Sequence, residues 1–128
     1  MAGYRDLAAW QKSIELTIEI YRLVKLLPRE ETYALSDQMR RSVVSIPSNI
    51  AEGKARDSKN DFIRFLFISQ GSRAELETQL EICTRIGYLS AEQTMKAKGL
   101  LSEIGKMIAG LITRQKNDLG KKTVDVGN

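Results

Sequence analysis

The sequence predicts an all-α fold, one antiparallel up-down-up-down four-helix bundle. Apolar residues recur at spacings of three and four through most of the 128 residues, the period of an amphipathic helix. Only two prolines interrupt the chain, so long helices are permitted. Capping and turn residues divide it into four segments with short connections, which place successive helices antiparallel.

The first helix is expected from about Leu7 to Leu27. Leu7, Trp10, Ile14, Ile18 (with Thr17), Tyr21 and Val24 form one apolar face. Asp6 suits the N-cap, and Pro28 ends the helix because a residue before proline avoids the α region. About 21 residues make a rod of roughly 32 Å. That length suits a bundle.

The second helix begins after Pro28, at Glu30–Glu31 or with Ser36 as N-cap. Its face is Leu35, Met39, Val43, Ile46 and Ile50. Pro47 falls inside this pattern, where a proline costs about 3 kcal/mol. The apolar period continues through it to Ile50 and Ala51, so helix 2 is expected to be kinked at Pro47 rather than broken. Ser42, Ser45 or Ser48 would then satisfy the freed carbonyl. Gly53 marks the weakening end of the segment.

The third helix opens at Ser58, with Asp61 in a capping-box-like position, and closes at Ile86–Gly87–Tyr88–Leu89. Its face is Phe62, Phe65, Ser69, Ser72, Leu76, Leu80 (with Gln79) and Cys83. The fourth opens at Ser90 with Gln93 at the capping-box position and carries Met95, Leu101, Ile104, Ile108 and Leu111. It is expected to fray after Thr113. Residues 1–116 are read as the bundle domain and 117–128 as a flexible tail, since the apolar period stops there.

Hydrophobic residues make up 42% and charged residues 28%, globular values that argue against disorder. The lone Cys83 cannot form an intramolecular disulfide, which fits a reducing compartment. Arg5, Asp6 and Lys12 interrupt any signal-like N-terminal run. No segment approaches the apolar length that spans a bilayer. The expected location is the cytoplasm, with no membrane partner.

Catalytic and metal chemistry find little to work with. The chain contains no histidine, which excludes histidine acid–base catalysis, Ser-His-Asp triads and Glu-x-x-His di-iron ligands. One cysteine cannot build a zinc site. Gly-rich nucleotide cradles are missing. Glu75, Glu77 and Glu81 read as solvated, or as salt-bridged to Arg73 or Arg85, and Cys83 reads as a packed core thiol. No enzyme activity, cofactor or metal is expected.

Phe62 to Ile68 read F-I-R-F-L-F-I, six apolar positions of seven. Such a turn is apolar all round, whereas the outer helix of a monomeric bundle keeps a polar face. Burial by another subunit is one explanation, with Ile63 and Phe67 as candidate interface residues beside Phe62, Phe65 and Leu66 in the core. The other is that the C-terminal segment folds over this patch.

The balance of 20 basic against 16 acidic residues gives +4, and the pI is near 9.3. Arg40, Arg41, Lys54, Arg56 and Lys59 are candidate nucleic-acid contacts, because phosphate recognition needs convergent Arg and Lys donors. Arg64, Arg73, Arg114, Lys116, Lys121 and Lys122 add to them. Asp37, Glu52, Asp57 and Asp61 dilute the field, and the aromatics that would stack single-stranded bases are not interleaved with these charges.

Ser42 to Gly53 read S-V-V-S-I-P-S-N-I-A-E-G, flanked by D-Q-M-R-R at Asp37–Arg41. Y-R-D-L-A-A-W-Q-K-S opens the chain at Tyr4, with D-F-I-R-F-L, G-S-R-A-E-L-E-T-Q-L and I-G-Y-L-S following in order. From Tyr4 to about Thr113 the chain resembles the 23S rRNA-intervening-sequence proteins, encoded by insertions in bacterial large-subunit ribosomal RNA genes. The resemblance implies a four-helix bundle assembled as a homopentamer. A related branch, the accessory variability determinant of diversity-generating retroelements, forms a basic pentameric barrel that engages reverse transcriptase and nucleic acid. No catalytic or cofactor residue is implied. What carries over is the motif Arg40, Arg41, Pro47, Ser48, Asn49, Glu52 and Gly53.

Two readings of that motif stay open. In one, Pro47 sets a kink, Ser48 or Asn49 caps freed backbone groups and Glu52 pairs with an arginine. In the other, the bend with Arg40, Arg41 and Arg56 is a recognition surface. The partners stay open in the same way: RNA or DNA, or another protein on a homo-oligomeric scaffold.

Overall fold

Four helices make up the fold: α1 (Ala8–Val24), α2 (Leu35–Ala55), α3 (Lys59–Ile86) and α4 (Met95–Gly127). The computed structural model describes residues 3–127, with side chains as far as Lys121, and no strand occurs among them. Short 3₁₀ turns, Tyr4–Asp6 and Arg29–Glu31, lead into α1 and α2. The helices pack as a square. Among the described residues α1 packs beside α2 and α4, α3 packs beside α2 and α4, and α1 lies diagonal to α3.

One core fills the square. Leu16, Ile20 and Leu23 of α1 join Met39, Ile46 and Ile50 of α2, Leu66, Leu76 and Leu80 of α3, and Leu101, Ile104 and Ile108 of α4. Each such side chain contributes about 1.5–3 kcal/mol on leaving water. Contacts between α2 and α3 pair Met39 with Cys83 (Sδ–Sγ 3.7 Å), Ser45 with Ser72 (2.7 Å) and Gly53 with Phe65. Numbers rise on one helix as they fall on the other, so α2 and α3 run antiparallel. Gln70 with Gly105 and Lys59 with Asp118 give α3 and α4 the same relation.

The caps explain where α3 and α4 begin. Ser58 Oγ accepts from the Asp61 amide at 3.1 Å, satisfying a donor the helix leaves free. Ser90 and Gln93 form a reciprocal capping box, Gln93 N to Ser90 Oγ at 3.0 Å and Ser90 N to Gln93 Oε1 at 2.9 Å. It closes a turn that leads into α4 at Met95. Gly87 ends α3 in the left-handed region at φ 96°, with Gly87 and Tyr88 amides both donating to the Cys83 carbonyl.

The α1 face is corrected in part: Val24 is buried and Leu7 and Trp10 pack against the core as expected. Ile18 is 68% exposed and Tyr21 is exposed, while Ala9, Ser13, Leu16, Ile20, Leu23 and Leu27 carry the burial. Both sets repeat at three and four, so α1 has two apolar stripes and the inner one is the series through Leu16. Asp6 does not cap it either. Asp6 closes the 3₁₀ turn and Leu7 takes the N-cap position. Beyond Val24, the Leu26 and Leu27 amides bond three residues back, to Leu23 and Val24, and α1 ends short of Leu27.

Helix α2 is unbroken through Pro47, and its expected apolar face is buried apart from half-buried Leu35. Gly53 lies inside α2 rather than ending it. A Cβ there would stand 2.6 Å from Phe65 Cβ and 3.1 Å from Phe62 Cδ1, so glycine lets α2 and α3 approach closely. All the residues expected on the α3 face are buried. On α4, Leu101, Ile104 and Ile108 are buried as expected, but Met95 is exposed. The backbone of α4 stays helical past Thr113 to Gly127. Side chains of the expected 117–128 tail from Lys122 onward lie outside the described residues.

Candidate functional site

The five candidate contacts for nucleic acid fall into two groups on α2 and the connection to α3. Arg40 and Arg41 lie in the first turns of α2, whereas Lys54, Arg56 and Lys59 surround its far end. Fourteen residues separate Arg40 from Lys54, about 21 Å of helix. They do not form one patch.

Each of the five already has a partner. Arg40 Nη2 donates to the Thr32 carbonyl at 2.9 Å, and Arg41 Nε meets Asp37 at 3.0 Å. Arg56 pairs with Glu52 at 2.9 Å, and Lys59 reaches Asp118 of α4 at 3.3 Å. The Lys54 ammonium lies over the Phe62 ring at 5.7 Å. Arg56 and Arg64 both stand over Phe65, at 5.2 and 4.4 Å from its centroid. The α2–α3 end is therefore a cluster of cations held on two phenyl rings, with Glu52 and Asp61 beside them.

The motif around Pro47 is a packing device in this structure. Asn49 Nδ2 donates to the Ser45 carbonyl at 2.8 Å and to Ser45 Oγ at 2.9 Å. Ser69 of α3 donates to the Ile46 carbonyl at 2.9 Å. Pro47 is buried, Ser48 is exposed, and Glu52 holds Arg56. Glu52 pairs with an arginine as the first reading has it, but Asn49 binds the Ser45 carbonyl rather than the Val43 carbonyl that Pro47 frees.

The outward surface of α3 is apolar at Phe67, Ile68, Ile82 and Ile86, all at least two-fifths exposed. At 100° per residue they share one arc, set to one side of the core-facing Ser69, Leu76 and Cys83. Phe67 is 52% exposed and carries Lys116 of α4 over its ring at 5.3 Å. Ile63 is different: it is half-buried against the core. The C-terminal part of α4 thus covers one flank of Phe62–Ile68 and leaves the other in water. On the diagonal corner, Ile14, Ile18 and Tyr21 form the outer stripe of α1, with Val44 of α2 beside Tyr21. Periodicity alone took this stripe for core; the competing series through Leu16 and Ile20 was the available signal against it.

No constellation of reactive groups accompanies these surfaces. Glu77 pairs with Arg73, and Glu81 with Arg85 at 2.8 Å. Burial, aided by Glu31, pushes the Cys83 thiol up to about 11, far from a reactive thiolate. Among the described residues no group of three or more Cys, Asp or Glu stands where it could hold a metal. No helix of those residues is long and apolar enough to cross a membrane.

The molecule is thus an all-α four-helix bundle protein with two outward apolar faces. Residues 5–110 match the 23S rRNA-intervening sequence protein family, and the chain belongs to it. A crystal structure of a protein with unknown function from the S23 ribosomal protein family of Bacteroides thetaiotaomicron is similar, with 33% identity and a TM-score of 0.76. The match covers 82% of this chain and 98% of that one. No curated protein matches the chain.

Proposed function

We propose that this protein is a non-enzymatic subunit of a closed homo-oligomeric ring, a pentamer as the family resemblance implies, acting in the cytoplasm by binding. The observation behind this is the placement of the apolar faces. They sit on α1 and α3, the diagonal corners of the square. A two-fold contact joins the same patch on both partners and would leave one face in water. A head-to-tail contact, the α1 face of one copy against the α3 face of the next, covers both and makes a ring when the rotation between subunits closes. Ile63 contributes from the half-buried flank and Phe67 from the exposed one.

The binding partner in this reading is RNA or DNA, held through its phosphates with little reading of sequence. Lys54, Arg56 and Lys59, with Arg64, would recur once per subunit around the ring, and Arg40 and Arg41 would form a second tier. The acidic neighbours of these cations favour a second reading, a scaffold for another protein, because each carboxylate weakens a phosphate contact. Light scattering at micromolar concentration tests the assembly, and a monodisperse monomer rejects it. Titration with duplex DNA and single-stranded RNA at rising salt tests the partner. Nucleic-acid binding predicts a steep salt dependence, its slope reduced by about one for each phosphate-contacting lysine or arginine removed. Absence of binding at low salt rejects it and leaves the scaffold, which a pull-down from nuclease-treated lysate then checks.

A further inference from the structure

We propose that the cleft between α2 and α3 binds a cationic hydrogen-bond donor, a guanidinium or primary ammonium group. The cleft, about 300 Å³, is walled by Ser42, Ser45 and Ser72, with Glu75 and Gln79 one helical turn apart on α3 and Arg41 at its rim. Gln79 is only 8% exposed, and its Oε1 is enclosed without a hydrogen-bond partner. A buried acceptor left empty is costly, and native proteins rarely keep one without a use.

The neighbouring groups do not relieve it. Glu75 enters no ion pair among the described residues and meets only Ser42 Oγ, at 3.5 Å. Several donors nearby are engaged, although Arg41 keeps its two Nη groups at the rim and Gln38 also lines the cleft. Asn49 donates to Ser45 Oγ at 2.9 Å, the Ser45 and Ser72 hydroxyls bond each other at 2.7 Å, and Arg41 is held by Asp37 at 3.0 Å. What remains is Glu75, exposed and without an ion-pair partner, and Gln79, whose enclosed amide oxygen has no hydrogen bond, both lining the same cleft. Their side chains are neighbours on one helix face, about 5–6 Å apart at Cβ. A planar guanidinium presents donors across such a span, and an ammonium presents three. A ligand without donors would leave Gln79 unpaired.

The group can come from an exposed Arg or Lys of a second copy or from a free small amine. The cleft belongs to the single chain, so it does not depend on the ring. Agmatine, which carries both cationic groups, is titrated into ¹⁵N-labelled protein, and the mass of the particle is followed in parallel. Agmatine is expected to shift the Gln79 side-chain amide and the Ser72 and Glu75 signals saturably. Glu75→Gln should weaken this about tenfold or more, as loss of a charge-assisted bond does. Gln79→Leu should abolish it while leaving the urea midpoint unchanged or higher. If agmatine and Glu75→Gln also lower the mass, the natural occupant is a side chain of a second copy. If the mass holds while agmatine binds, it is a free amine. The absence of both a saturable shift and a change of mass in Glu75→Gln would overturn the site.

Discussion

Two helical glycines show how far local environment outweighs propensity. Replacing glycine by alanine inside a helix gains up to about 1 kcal/mol, and at Gly99 an added Cβ meets nothing within 4 Å. Gly99→Ala should therefore stabilise the protein by close to that amount. At Gly53 the same methyl would stand 2.6 Å from Phe65 Cβ, an atom fixed to backbone that cannot swing aside. Overpacking of this kind costs about 1–3 kcal/mol, so Gly53→Ala should lower the urea midpoint while Gly99→Ala raises it. Equal shifts would show that the α2–α3 crossing is looser than the distance implies. Glu19 carries the acid dependence at this scale. It is nearly fully buried, and Arg22 grips it through Nε at 2.9 Å and Nη2 at 2.7 Å. Those bonds hold its carboxyl below the ordinary 4.5 despite burial, with Lys96 adding to the pull. A folded value below the unfolded one means the pair stabilises the protein above about pH 4.5 and loses that contribution as pH falls through the folded value. Glu19→Gln should lower stability at neutral pH and flatten the acid limb of the urea midpoint below about pH 4.5. The exposed Glu81, also lowered by Arg85, accounts for part of the slope that remains. An unchanged acid limb would assign acid sensitivity to other groups.

At the scale of elements, the caps are the cheapest test of what holds the helix ends. Ser58→Ala removes the acceptor of the Asp61 amide and should cost about 1 kcal/mol, read as a lower urea midpoint with an unchanged slope. A cost near zero would mean water replaces the hydroxyl. The bounds and core face of helix α3 were legible, because Ser58 and Gly87 bound it and the series from Phe62 through Leu76 to Cys83 is buried between them; its outward Ile82 and Ile86 were not. Helix α1 was not. Its two apolar series have the same period, and only the position of α2 and α4 decides that Leu16 and Ile20 face inward while Ile14 and Ile18 face out. The same limit governs the basic residues. The pairs Arg41–Asp37 and Arg56–Glu52 follow from four-residue spacing and could be read from the chain. Lys59–Asp118 could not, because it needs α4 to continue beyond Thr113 alongside α3, where no apolar period announced it.

For the whole molecule, the question is whether the two diagonal faces meet each other or themselves, and a mixing experiment separates these. Ile18→Glu places a charge in the α1 face and leaves the α3 face intact. Ile82→Glu does the reverse. Both positions are exposed in the single chain, so each variant should fold with a urea midpoint close to the parent's, surface substitutions being worth about 0.5 kcal/mol or less. Head-to-tail assembly predicts that each variant alone is a monomer, since every contact it could make uses one damaged face. Mixed in equal amounts, the two should form a particle of two chains and no larger, because the intact α3 face of the first joins the intact α1 face of the second and the remaining faces are both blocked. Native mass spectrometry of the mixture reads this directly. Assembly through like faces predicts a different pattern: Ile18→Glu alone would still pair through its α3 face, and mixing would add nothing. Two-chain particles in either unmixed sample would therefore reject the ring, whereas their appearance only on mixing would require that the faces of α1 and α3 are complementary to each other.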